Sequence, residues 1–159
     1  MKQVELIKAT KDDIDEIHQM QIDSFMPLYE IYHDDMSPVN EPKERTLWKI
    51  TDSHFYFIVC DGQKVGAVRV VRDRGVEDDS IMWISPIFIL PKFQDLGVGK
   101  AAVLKLFEMW DKTTTWRLST IKEEERNCHF YEKLGFKRLE GEEKVNDLLT
   151  LVSYVRTKD

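Results

Sequence analysis

Residues 81–110 read IMWISPIFILPKFQDLGVGKAAVLKLFEMW. An apolar run fit for a buried strand comes first, then a bend carrying Gly97 and Gly99, then apolar residues at helical spacing. Gly99, Val103, Leu106, Phe107 and Trp110 fall on one helical face and would anchor that helix to a sheet. Without a Cβ, Gly97 and Gly99 let the backbone turn sharply and let a ligand approach it closely. The first amides of the helix lack intrahelical partners and, with the helix dipole, favour a phosphate or pyrophosphate. Gln94 and Lys100 flank the bend with further donors.

Two familiar phosphate loops do not fit this bend. A Walker A loop needs glycine where Gln94 stands and a hydroxyl residue where Ala101 stands. A dinucleotide fingerprint needs a third glycine and an early βαβ unit. The wider composition narrows the function further. At 159 residues and 42% apolar content the chain has the size of one domain, 1–159, with a real core. A net charge of −6 argues against a nucleic-acid binder. Cys60 and Cys128 match no metal or redox spacing, which suggests reduced structural thiols and a cytoplasmic protein. No segment reads as an export signal or a membrane span.

The elements outside this stretch are read from period and punctuation. QVELIKA alternates as a strand. Thr10 is placed to cap a helix whose core-facing stripe is Ile14, Ile17, Phe25 and Leu28. Pro27, Pro38 and Pro42 make residues 27–42 read as a bent connection, rich in Tyr29, Tyr32, Glu30, Asp34 and Asp35. A short helix follows near Lys43–Thr51. HFYFIVCDGQKVGAVRVVRD then reads as two antiparallel strands around an Asp61-Gly62 turn. After the glycine bend and its helix come a strand at TTWRLSTI, a helix at RNCHFYEKL and closing strands at FKRLEG and LLTLVSYVR. The order βααβββαβαββ is an α/β sheet with helices packed on it.

QDLGVG resembles the Q/R-x-x-G-x-G/A signature of the GNAT (GCN5-related) N-acetyltransferases. FYEKLGF, Phe130 to Phe136, resembles the second family element, a helix ending in tyrosine. The resemblance implies a mixed, mostly antiparallel seven-stranded sheet with splayed fourth and fifth strands and helices on both faces. It further implies acetyl-CoA as co-substrate and no metal. By similarity, the backbone from Gln94 through Asp95, Leu96, Gly97, Val98 and Gly99 to Lys100 holds the CoA pyrophosphate. Phe88, Ile89 and Leu90 at the end of the fourth strand pair with pantetheine, and an amide near Phe88 or Ile89 faces the oxyanion.

Tyr131 matches the family tyrosine, and a phenol can give a proton to a departing thiolate. Where many relatives carry asparagine, seven residues earlier, this chain has Glu124. Asn127 lies four residues before Tyr131 and shares its helical face, so it either reaches the cofactor or caps the helix. The general base is left open between Glu77, Asp78 and Asp79 before the fourth strand, Glu30, Asp34 and Asp35 in the helix connection, and a water chain. Those acids with Tyr29, Tyr32 and Trp83 would suit a cationic amine. Two function classes remain. One is acetyl transfer to a small-molecule or protein amine by direct attack in a ternary complex. The other is a GNAT-like module that binds acyl-CoA without turnover. The oligomeric state is open, with a homodimer among the options.

Overall fold

The computed structural model describes residues 3–158. Its strands are β1 (Val4–Lys8), β2 (His54–Cys60), β3 (Gln63–Arg72), β4 (Ile81–Ile89), β5 (Thr115–Ile121), β6 (Lys137–Arg138), β7 (Glu143–Lys144) and β8 (Thr150–Thr157). Its helices are α1 (Ile14–Tyr32), α2 (Lys43–Asp52), α3 (Val98–Met109) and α4 (Glu125–Lys133). All strands join one sheet in the order β1-β2-β3-β4-β5-β8-β6, with β7 also paired to β8. The short β6 and β7 lie against opposite ends of the same β8 edge, at Val155–Tyr154 and Leu151–Thr150. They are one interrupted strand, so the sheet has the seven positions expected from the sequence. Every pairing is antiparallel except β4 with β5.

Helices on both faces explain why β2 reads FYFIVC rather than alternating apolar with polar. Phe55, Phe57 and Val59 face a core shared with Ile17 and Met20 of α1 and Ile50 of α2. Tyr56, Ile58 and Cys60 face the opposite core, with Val103 and Leu106 of α3 and Cys128 and Tyr131 of α4. The Asp61-Gly62 turn has positive φ at both residues, as the sequence predicts. Gly66 of β3 is required by close approach, since a Cβ there would meet the Phe88 carbonyl oxygen at 2.1 Å. Cys60 and Cys128 are both buried and form no disulfide.

The connection expected over residues 27–42 begins later than its prolines suggest. α1 continues through Pro27 to Tyr32, and His33 then ends it in the left-handed conformation. A helix-interior proline costs about 3 kcal/mol. Buried Ile17, Met20 and Tyr32 and half-buried Phe25 hold the helix across it, with the Phe25 and Phe88 rings edge to face at 5.7 Å. At the other end, the Thr10 amide donates to Asp13 Oδ2 at 2.8 Å, closing the helix start that Thr10 marks. Gln21 and Ser24 are also buried on α1, polar residues that an apolar stripe does not anticipate.

Candidate active site

β4 and β5 pair only through Ile81–Trp83 with Thr115–Arg117. Beyond Trp83 they part, and the gap opens into a cavity of about 230 Å³. Its walls are Ile84–Ile87 of β4, Leu118–Ile121 of β5, the last turns of α1, and Asn127 and Tyr131 of α4. Because α1 and α4 lie on opposite faces of the sheet, the cavity passes through the sheet plane. Strand separation is therefore what creates the site.

The divergence coincides with an irregularity in β4. Val68 pairs with Ile87 and Val70 with Ile84, so Arg69 alone opposes both Ser85 and Pro86. Arg69 is buried, and it donates from Nε to Ser53 Oγ at 2.6 Å and from Nη1 to the Ser85 carbonyl at 2.9 Å. Burial lowers its pKa from the ordinary arginine value. Its guanidinium pins the bulged strand at the cavity wall. The signal available in sequence was an arginine inside the apolar run of β3.

Leu90 gives its amide to the Val65 carbonyl at 2.8 Å, and the Phe88 carbonyl faces Gly66. Successive residues of a strand address opposite edges, so Ile87 and Ile89 turn theirs to the gap. The Phe88 side chain is buried in the α1 core. Gln94 Nε2 donates to the Ile89 carbonyl at 3.0 Å, tying the bend to the strand it follows. Asp95 adopts positive φ and pairs with Arg126 of α4. Leu96 and Lys100 are exposed, and Val98 is buried beneath the bend. Gly97 caps α3 in the left-handed conformation, with φ 78° and ψ 6°. Apart from Gly97 itself and its chain neighbours, nothing among the described residues lies within 4 Å of the place its Cβ would take. A side chain at this position would therefore project into open space at the start of α3.

Tyr131 is buried between aromatic neighbours, Phe130 at 5.0 Å and Phe136 at 5.9 Å between ring centroids. Its side chain lines the cavity, and its hydroxyl has no hydrogen-bond partner among the described residues. Burial above all, with Cys128 adding to it, raises its pKa well above the ordinary phenol value. The group stays protonated throughout the neutral range and can donate. Asn127 shares the cavity with Tyr131, as their spacing predicts, and the helix cap falls instead at Glu124. His129 is exposed and outside the cavity wall.

Of the acidic candidates, Asp34 alone lines the cavity, together with Tyr29 and Tyr32. Glu30 and Asp35 are exposed and outside its lining. Asp78 accepts from Ser80, and Asp79 accepts from Arg72 at 2.7 Å, both at the closed end of the β4–β5 pair. Glu77 shares that turn and is also outside the wall. Trp83, expected near the acceptor, lies in the closed part of the sheet. Its Nε1 donates to Asp73 at 2.6 Å, and the Arg117 guanidinium sits 5.0 Å from its ring centroid. Among the described residues no cluster of His, Cys, Asp and Glu could hold a metal ion, and no helix is long and apolar enough to cross a membrane.

The segment before β8 supplies a wall that the sequence reading missed. Asn146 Oδ1 accepts from the Leu148 and Leu149 amides at 2.8 and 2.9 Å, while Nδ2 donates to the Tyr32 carbonyl at 2.9 Å. Leu149, buried, then lines the cavity. Each such bond is worth about 1 kcal/mol net. Asn146→Ala, which removes three of them, should therefore lose about 3 kcal/mol in urea unfolding.

A sheet opened between two parallel strands, a glycine bend that starts a helix after the first of them and a buried phenol, Tyr131, lining the opening define an acyltransferase fold. The chain belongs to the acetyltransferase (GNAT) family, whose family model matches residues 15–136. Its fold is also that of an acetyltransferase from Thermus thermophilus, with TM-score 0.72, 16% identity and coverage of 97% of this chain and 96% of that one. The PaiA N-acetyltransferase from Thermoplasma acidophilum, in complex with coenzyme A, aligns with TM-score 0.75 and 17% identity over 98% of this chain and 99% of that one. An acetyltransferase from Salmonella typhimurium that modifies the N-terminal serine of a 50S ribosomal subunit protein aligns with TM-score 0.71 and 14% identity, covering 98% and 95%. No curated protein matches the chain in sequence.

Proposed function

We propose that this protein is an acetyl-CoA-dependent N-acetyltransferase of the cytoplasm that acetylates a primary amine of a small molecule or protein by direct attack in a ternary complex. The observation that carries the reading is the opening between β4 and β5, which is lined by Tyr131 and leaves β4 without a β5 partner beyond Trp83. The same strand runs on through Ile87 and Ile89 to the Gly97 bend that opens α3. The residues present suit the co-substrate. Backbone from Gln94 to Lys100 would hold its pyrophosphate, Ile87 and Ile89 would pair with its pantetheine, and Asn127 would border it. When bound, acetyl-CoA supplies an activated acetyl carbonyl on a thiol leaving group.

The chain's own residues then have distinct tasks. An amide of the free β4 edge meets the developing oxyanion, which a fixed donor in a dry site stabilises strongly. Tyr131 holds a proton for the departing sulfur. The acceptor enters past Asp34, Tyr29 and Tyr32, and among the described residues no lysine, arginine or histidine lines the cavity. That polarity favours an acceptor carrying an ammonium group.

A thiol-release assay across polyamines, aminoglycosides, amino acids and short peptides tests this. Free CoA should appear only when acetyl-CoA and an amine are both present, and cationic acceptors should turn over fastest. Tight acetyl-CoA binding with no acceptor-dependent release would instead support an acyl-CoA-binding module without turnover. Turnover confined to anionic acceptors would overturn the ammonium preference.

A further inference from the structure

Tyr32 and Glu124 stand far apart in sequence and meet at the cavity wall. Tyr32 Oη donates to Glu124 Oε2 at 2.5 Å. Tyr32 ends α1 and lines the cavity, while Glu124 sits half-buried at the start of α4. Burial, and then the carboxylate itself, push the phenol up to about 12. With its proton already directed at Glu124, the Tyr32 oxygen can offer its lone pairs to a donor in the cavity. Asn146 holds the Tyr32 backbone carbonyl, so the ring is fixed from both sides. The alternatives nearby are poor. Asp34 Oδ1 accepts from the Met36 amide to close its own turn, and the β4 wall carries no ionisable side chain.

We propose that Tyr32 is the proton acceptor for the attacking amine, relaying the proton to Glu124. This rests on the amine-acetylation reading above. The amine nitrogen, neutral once its ammonium proton has gone to solvent, bonds to the acetyl carbon, and the carbon–sulfur bond breaks. The proton shed by nitrogen goes to Tyr32 Oη as the Tyr32 proton passes to Glu124, while the sulfur takes the Tyr131 proton. Glu124 then loses its proton to solvent, from which Tyr131 is reprotonated, so the sum is amine plus thioester giving amide plus thiol. Glu124 replaces the expected asparagine with a group that can take a proton.

The test compares Tyr32→Phe, Glu124→Gln, Glu124→Ala and the Tyr32→Phe/Glu124→Gln double variant with wild type, using the amine that wild type turns over best. Glu124→Gln and Tyr32→Phe should each lower kcat by about 10²-fold, the scale of general base catalysis, with acetyl-CoA affinity unchanged. The double variant should be no slower than the slower single one, because the two residues act in series. Formate should restore turnover to Glu124→Ala but not to Tyr32→Phe. A merely structural bond would share the non-additivity but would not be rescued by formate. Wild-type kcat in a folded Glu124→Gln, or additive losses without formate rescue, would overturn the relay while leaving acetyl transfer intact. Absence of acetyl-CoA-dependent turnover by wild type with any amine would overturn the underlying reading instead.

Discussion

Gly97→Glu is expected to lower acetyl-CoA affinity by at least about 10²-fold in calorimetric titration. That fall corresponds to the roughly 3 kcal/mol between two like charges about 5 Å apart at an effective dielectric near 20. Two effects act together. The carboxylate would stand in the open space before α3, where the diphosphate is proposed to lie. It would also compete for the same amides, since an acidic side chain at a helix start is itself a favourable ligand for them. Backbone strain needs separating from this effect, because Gly97 has φ 78° and a side chain in that conformation costs about 1–2 kcal/mol. Gly97→Ala carries the strain without the charge. It should lower unfolding stability by that amount and retain most of the affinity. Undiminished affinity in the glutamate variant would refute the cradle.

Much of the fold was legible because its signals are local. The Asp61-Gly62 turn, the strand–bend–helix of residues 81–110 and the helix that carries Tyr131 each follow from period and from residues of special conformation. The splay of β4 from β5 was expected only through the family resemblance. It coincides with a bulge opposite Arg69, and nothing in ISPI by itself reveals which carbonyl a distant guanidinium will claim. Pro27 misled for a related reason. A proline marks a local cost, and whether a helix continues through it depends on the burial gained beyond, here by Tyr32.

The site divides along the same line. Tyr131 and Asn127 come together because four residues span one helical turn, a relation visible in sequence. Tyr32 with Glu124, and Asn146 with Tyr32, are tertiary pairs between segments whose local patterns give no hint of one another. Trp83 and the Glu77–Asp79 acids illustrate the converse. They precede or begin the right strand, but the site opens only after Trp83, so a few residues of register separate a wall of the cavity from the closed sheet.

Tyr131→Phe should reduce kcat by about 10²-fold while leaving the acetyl-CoA dissociation constant unchanged, the signature of a proton donor used only in the transition state. Removing one oxygen from a ring packed against Phe130 and Phe136 leaves the aromatic contacts in place. Its hydroxyl has no partner among the described residues to leave unsatisfied, so folding stability at neutral pH should hold. Alkaline stability gives an independent readout. Burial raises the folded-state pKa of Tyr131 above the ordinary 10.0, and Tyr32, Tyr56 and Tyr154 are raised as well. Folded protein thus keeps phenol protons that unfolded chain releases. The resulting stability is fully present below pH 10 and is lost as pH rises from there through the folded pKa values. Tyr131→Phe removes one of these linked protons, so urea midpoints should fall less steeply between pH 10 and about 12 than in wild type. Equal slopes would mean that the phenol ionises alike in both states and is not held neutral in the cavity. Unchanged kcat in a correctly folded variant would remove the acid role, and the thiolate would then have to leave unprotonated.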